Sequence, residues 1–483
     1  MDITIPPGVF DILPVNPKEP WKSAYLWNYF EDLLREVARN YGFKEIRTPI
    51  FEKTELFNRG VGETSDIVTK EMYTFKDKGD RSLTLRPEGT ASVMRAFSEN
   101  QLQQISPIHK LFYIAPMFRY ERAQAGRFRQ HHQFGVEVVG VASPEQDAEI
   151  IDLAFTIFKR LKLKNLKVSL NSIGDLSSRT AYHKALKEYL QKHFPRLSKD
   201  SQIRFEKNPL RILDSKDPAD QEIVAKAPII LDFLNQDCLV HFEAVQKTLN
   251  LLNIPFKINP LLVRGLDYYN KTVFEVTSEN LGSQNSICGG GRYDGLLKSL
   301  GGPDLPTTGF ALGMERVLQT ALAQQVSFPN PPCPTLYFIP LGKEAREICL
   351  KIVHELRQAC IAAQLELTDR KLNKAMNYAN QIGAKFVAVV GEQELANKEI
   401  ELKEMATGSK LKAPLFHLTR IFTVEETSIA FLKLWQEMTQ PFEDADEAEF
   451  FMKRLSDNIA NTSKVNLKLK EALLNIQSLL GDV

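Results

Sequence analysis

Apolar residues step at three and four along residues 21–41: Leu26, Tyr29, Phe30, Leu33, Leu34, Val37, Ala38 and Tyr41. That spacing predicts an amphipathic helix, with Gly42 as its C′ residue. A period of two governs residues 111–140, LFYIAPMFRYERAQAGRFRQHHQFGVEVVG, which read as two strands and a short basic loop. The first strand is apolar through Phe112, Tyr113, Ile114, Met117 and Phe118, then turns charged at Arg119 and Glu121. In the second, His132, Phe134, Val136 and Val138 fall on one face, and Gln133, Gly135 and Glu137 on the other. Two polar groups flanking a glycine, with about 7 Å between alternate positions of a strand, leave room for something small above the sheet. An ordinary hairpin with one wet face gives the same pattern.

The other elements follow in order. Residues 43–46 are a strand. Residues 73–86 read strand, turn, strand and end in LRPEGT at 85–90. Pro87 biases Arg86 away from helix, so Thr90 reads as the N-cap of a helix over 91–99, with Glu88 displayed at the turn. A helix over 145–161 and a strand over 167–171 precede residues 175–255, a mainly helical insertion. Strand propensity is high on both sides of 264–270, RGLDYYN. The glycine run before Arg292-Tyr293 reads as a turn or a point of close packing. Residues 309–319 read as strand or turn into helix, with Glu315 and Arg316 in its first turns. Pro329, Pro331, Pro332 and Pro334 mark a linker. Beyond it strands over 335–340, 365–368, 385–390, 398–402 and 413–418 alternate at first with helices over 345–363 and 372–382, an α/β domain closed by a helix over 427–438.

Composition narrows the classes. The 483 residues are 43% apolar and 25% charged with net charge +1, ordinary for a globular chain. No run of eighteen apolar residues predicts a membrane span, and the N-terminus lacks a secretory pattern. Five cysteines without C-x-x-C and eight histidines without H-E-x-x-H predict neither a disulfide framework nor a metal cage. Mg²⁺ carried in by a nucleotide needs no such cage. Neither a Walker loop nor a G-x-G-x-x-G after the residue 335 strand is present. What remains is Arg119, Arg127, Arg264 and Arg316 with Glu88, Glu121 and Glu137. Guanidinium groups suit phosphoryl oxygens and carboxylates suit a cation, as ATP meeting an amino acid requires. Residues 441–483 carry eight acidic and five basic side chains, a net −3, with leucines at partly amphipathic helical spacing. Such a tail is a poor phosphate-binding arm.

At this point five motifs resemble a known family. MFRYERAQAGRFRQHHQFGVEVVG is similar to the second signature of class II aminoacyl-tRNA synthetases, GFALGMERV to the third, and the helix-strand-proline segment ending at Pro49 to the first. LVRGLDYYNKTVFEV and SICGGGRYDGL resemble two signatures of the histidyl-tRNA synthetases within that class. The resemblance covers about residues 1–437. It implies an α+β fold: a class II antiparallel-sheet catalytic domain over 1–330 with the helical insertion at about 175–255, then an α/β anticodon-binding domain over 334–438. The helical extension 441–483 takes nothing from it. It also implies a cytoplasmic homodimer, off the membrane, that joins L-histidine to tRNA(His) with ATP and Mg²⁺. By the same resemblance Arg119 and Arg264 hold the α-phosphate as the catalytic pair. Arg127 and Arg316 take the outer phosphates and Glu121 the adenine or its metal. Glu88, Gly89, Thr90 and Gln133 cradle the ammonium group of histidine. Glu137 and Tyr269 read its imidazole, with Arg264, Tyr268 and Tyr293 lining the pocket. The alternative is a non-catalytic, histidine-sensing regulatory relative, which would be expected to lack RGLDYY and the C-terminal domain. A general RNA-binding scaffold leaves the acidic residues unexplained.

Overall fold

The computed structural model describes residues 3–62, 65–121, 126–279, 285–416 and 418–422. The chain divides into two compact units, residues 1–329 and residues 330 onward. Strands of the first unit are β1 Lys44–Glu45, β2 Phe51–Lys53, β3 Tyr73–Lys76, β4 Ser82–Leu85, β5 His109–Phe118, β6 Gln130–Val139, β7 Leu166–Ser172, β8 Lys257–Ile258, β9 Asn270–Ser278, β10 Ser286–Arg292 and β11 Thr307–Gly313. Among the described residues, eight of these form one sheet in the order β1-β5-β6-β11-β10-β9-β7-β8, and β2-β4-β3 form a small one. Only the outer pairs β1–β5 and β7–β8 of the large sheet are parallel; the central pairs are antiparallel.

The period-two reading of β6 holds. Phe134, Val136 and Val138 enter a core with Phe30, Leu34 and Val37 of the helix Ala24–Asn40 and with Ile150, Ile151 and Ile157 of the helix Pro144–Arg160. The helical stripe starts later than its apolar pattern: Trp21 lies in a 3-10 turn, Pro20–Lys22, before the α-helix begins. Gly42 closes that helix with φ +81°. The opposite face of the sheet carries Tyr113, Tyr269 and Tyr293 with Val93 and Phe97, and there the side chains of chemical interest gather.

Two local expectations are corrected. Residues 261–269 form no strand; only 270–278 do. Of the two readings of the glycine run, close packing holds and the turn does not: Cys288 to Arg292 pair with both β9 and β11 in the sheet's interior. The helices read as one insertion serve two cores. Leu176–His193, Lys199–Lys207 and Pro218–Val224 surround Tyr182, Leu186, Phe205, Ile212 and Ile223. The next helix, Gln236–Leu251, sends Phe242, Val245 and Leu249 into the main core.

The second unit holds β12 Leu336–Pro340, β13 Ala363–Leu365, β14 Phe386–Val390, β15 Glu399–Glu404 and β16 Lys410–Pro414, in the order β13-β12-β14-β15-β16. Helix Lys343–Gln358 stops before the expected residue 363, because Cys360 takes φ +60° and the chain turns into β13. No described helix is long and apolar enough to cross a membrane. The expected helix 427–438, the tail 441–483 and residues 122–125 of the basic loop lie outside the described residues.

Candidate active site

Alternation along β6 turns His131 and Gln133 away from the main core and into a cavity of about 990 Å³, including the part continuous with solvent; Glu137, on the same face, is bound to Thr90 and Tyr293, which line that cavity. The same cavity is lined by Glu88, Thr90, Arg119, Glu121, Arg127, Arg264, Tyr268, Tyr269, Tyr293 and Arg316. Gly89 completes the predicted set from behind, against Tyr113.

At the deep end the carboxylates are buried and braced. Glu88 is 3% exposed, and its two oxygens accept from the backbone N–H of Thr90 and Ala91, each at 2.8 Å. Glu88, not Thr90, therefore caps the helix Thr90–Glu99, satisfying donors that a helix start leaves open. The Thr90 hydroxyl is freed to donate to Glu137 Oε1 at 2.7 Å. Glu137 Oε2 accepts from the Tyr293 hydroxyl. Burial pushes the Glu137 carboxyl up from an ordinary 4.5 to about 8, against the pull of those two hydroxyls and with the Glu88 charge adding to the rise. Burial raises Glu88 as well. Tyr268, Tyr269 and Tyr293 pack with ring centroids 4.7 to 5.8 Å apart. Tyr293 is placed by its neighbour: Arg292, fully buried, pairs with Asp147 at 2.6 Å.

Toward the other end the arginines are held by backbone and carboxylate oxygens. Arg119 Nε donates to Pro87 O at 2.8 Å. Arg264 Nη1 donates to Glu275 at 2.8 Å, and its Nε is buried without a partner among the described residues. Arg316 donates from Nε to Gly126 O at 3.0 Å and from Nη1 to Ser286 O at 2.8 Å. Arg127 lies 3.1 Å from Glu121. The remaining N–H groups are left for a ligand in fixed geometry, which favours charge that develops during a reaction. Burial, with Arg119 and Arg316 nearby, pushes His131 well below its ordinary pKa and keeps it neutral. His132 faces the other way, against Trp27 at 4.8 Å and Glu315 at 2.9 Å.

Three contributors were not singled out from sequence. Tyr113 reads as one more apolar strand residue. Gly289 reads only as part of a glycine run, with no partner named, yet a β-carbon there would meet Arg264 Nη2 at 2.1 Å. Gly309 leaves the space in which Tyr293 reaches Glu137, since a β-carbon would meet both within 2.5 Å. The run CGGG, unusual inside an apolar segment, was the one available signal of such close approach. For Mg²⁺, no group of three or more His, Cys, Asp or Glu among the described residues could hold an ion. Glu121, whose Oε2 faces Arg127 at 3.1 Å, lines the cavity and offers a carboxylate to an ion that arrives with its own oxygen ligands.

The chain also has known relatives. A family model described as histidyl-tRNA synthetase matches residues 19–317, and one described as an anticodon binding domain matches residues 335–423. The histidine–tRNA ligase of Protochlamydia amoebophila is 60% identical over 418 residues, 86% of this chain and 99% of that protein. That of Caldanaerobacter subterraneus is 46% identical over 84% of this chain and 95% of its own length. Among solved structures, apo S. aureus histidyl-tRNA synthetase superposes with a TM-score of 0.74 at 38% identity, covering 88% of this chain and all of that one. With these matches spanning both units, the chain belongs to the histidyl-tRNA synthetase family.

Proposed function

We propose that the chain is a histidine–tRNA ligase, which activates L-histidine with ATP and passes the histidyl group to the 3′ end of tRNA(His). What carries the reading is one cavity lined by Arg119, Arg264 and Arg316 together with Glu88 and Gln133, with Glu137 held against two of its lining residues, Thr90 and Tyr293. In the first step a histidine carboxylate oxygen attacks the α-phosphorus of ATP. The bond to the β-phosphate breaks and pyrophosphate leaves. Arg119 and Arg264 approach the α-phosphoryl oxygens from two sides, where negative charge builds, so they favour the transition state over the ground state. Arg127 and Arg316 take the outer phosphates, Arg316 also lying against the adenine, and Glu121 serves the adenine or its ion. Mg²⁺ bound by the nucleotide would neutralise the outer phosphates. In the second step the terminal ribose hydroxyl of the tRNA attacks the histidyl carbonyl carbon and AMP leaves.

Glu88, Gly89, Thr90 and Gln133 form the cradle for the ammonium group. Glu137 and Tyr269 read the imidazole, whose neutral form offers one donor and one acceptor. A Glu137 carboxyl that holds its proton to about 8 can donate to the acceptor nitrogen. Tyr268 and Tyr293 wall the pocket. The regulatory alternative is set aside, because the relatives above are ligases and the anticodon module is matched. The proposal includes a homodimer in the cytoplasm. Exposed Ile50, Phe51 and Phe75 beside the first-signature proline are apolar surface suited to a second copy. Histidine-dependent exchange of pyrophosphate into ATP, followed by acylation of a tRNA(His) transcript, tests the reading. Exchange that ignores histidine would sink it.

A further inference from the structure

Tyr113 belongs by sequence to the apolar run of β5, but its side chain serves the cavity. The ring tip passes between two glycines. A β-carbon on Gly135 would come within 2.2 Å of Tyr113 Cζ, and one on Gly89 within 2.3 Å. Gly135 is its direct cross-strand partner, and Gly89 stands at the mouth of the helix Thr90–Glu99. Two separate segments thus omit a side chain where this one ring passes.

The residue is 4% exposed, yet it lines the cavity, and its buried hydroxyl makes no hydrogen bond among the described residues. A phenol this deep ordinarily has a partner. Thr90 exerts a weak pull on it, but the Thr90 proton is committed to Glu137. Gln133 Oε1, at the next inward position of β6, is also buried and unpartnered. Burial first, then the Glu137 and Glu88 carboxylates, push the phenol well above its ordinary pKa. It keeps its proton. Two buried oxygens without a partner, Tyr113 Oη and Gln133 Oε1, beside the Glu88 carboxyl, match a group carrying several N–H donors.

We propose that Tyr113 is a specificity-determining residue whose hydroxyl accepts a hydrogen bond from the α-ammonium group of the bound amino acid, beside Glu88 and Gln133 Oε1. An ammonium has three N–H bonds, and these three oxygens match them. The part of Thr90 in the cradle is then indirect: it holds Glu137, to which it is already bound. The inference rests on the reading that the cavity takes histidine.

Tyr113→Phe keeps the ring between its glycines and removes only the hydroxyl. In histidine-dependent pyrophosphate exchange, the KM for histidine should rise roughly tenfold to a hundredfold, the scale of one hydrogen bond to a charged group. The KM for ATP and the melting temperature should stay at wild-type values. Two competitive ligands locate the contact: histidinol keeps the ammonium group and 3-(imidazol-4-yl)propionate lacks it. The variant should bind histidinol more weakly and imidazolylpropionate as wild type does. An unchanged histidine KM overturns the inference, and so does an equal loss for both ligands, the pattern that damage to the fold would give. Wild-type enzyme without histidine-dependent exchange would instead remove the ligase reading, and this inference with it.

Discussion

At the scale of single residues, Glu137 carries the sharpest expectations. Its carboxyl is 1% exposed and fixed by Thr90 and Tyr293, so it reads a ligand in one geometry. Glu137→Ala should lower kcat/KM for histidine by about 10⁴, the scale on which a site built for hydrogen bonds loses its ligand, while the KM for ATP changes little. Pyrophosphate exchange measured over both substrates checks the split; near-normal histidine turnover would refute the assignment. The same burial has a thermodynamic consequence. An acid at about 8 when folded and 4.5 when exposed binds its proton more tightly in the folded chain. Its contribution to stability is full below about 4.5, is lost as pH rises toward 8, and is flat above that. Glu88 shifts in the same direction. Glu137→Gln should therefore flatten the fall in melting temperature between pH 5 and pH 8 for the free protein. Parallel melting curves for the two proteins would show that Glu137 does not titrate in that window.

At the scale of elements, the pattern of apolar positions located most helices and strands and failed where backbone or a neighbouring side chain occupies the space a side chain would take. The helix Ala24–Asn40 was legible because its stripe repeats through four turns. The strand β10 was not, since glycine carries no period. It is a strand because Gly290 lets β11 pass close: a β-carbon there would meet Gly309 O at 2.2 Å and Phe310 Cα at 2.6 Å. Those are backbone atoms of a central strand and cannot swing aside. Gly290→Ala should destabilise the protein by about 1–3 kcal/mol, the usual cost of overpacking, read as a lower urea midpoint; an unchanged midpoint would mean the sheet yields there. The cap was missed for a related reason. Sequence marks Thr90 as the capping type, but it cannot show that Glu88 folds back onto the Thr90 and Ala91 amides. Of the candidate site, Glu88, Gln133, Glu137 and the four arginines were legible through alternation and motif. Tyr113 was not, because one hydroxyl in an apolar strand has no spacing signature.

At the scale of the whole molecule, each unit has its own core, and the proposed chemistry lies in the first. Every residue assigned to histidine or ATP lies within residues 1–329. That unit has its own core around Phe134, Phe158, Phe274 and Phe310, while the second builds a separate one around Phe338, Val353 and Leu402. A chain cut after residue 329 should therefore still exchange pyrophosphate into ATP in the presence of histidine, because activation needs no group from the second unit. Acylation is different. If the matched anticodon module grips the tRNA at a second place, its loss removes a linked contact, which for tethered modules is worth about 10²–10⁴ in apparent affinity. The truncated chain should then need that much more tRNA(His) for half-maximal acylation at unchanged exchange rate. Measuring both reactions on one preparation separates the two roles. Loss of exchange together with a cooperative melt would show that the first unit depends on the second for its chemistry, and an unchanged KM for tRNA would show that the second unit contributes no grip.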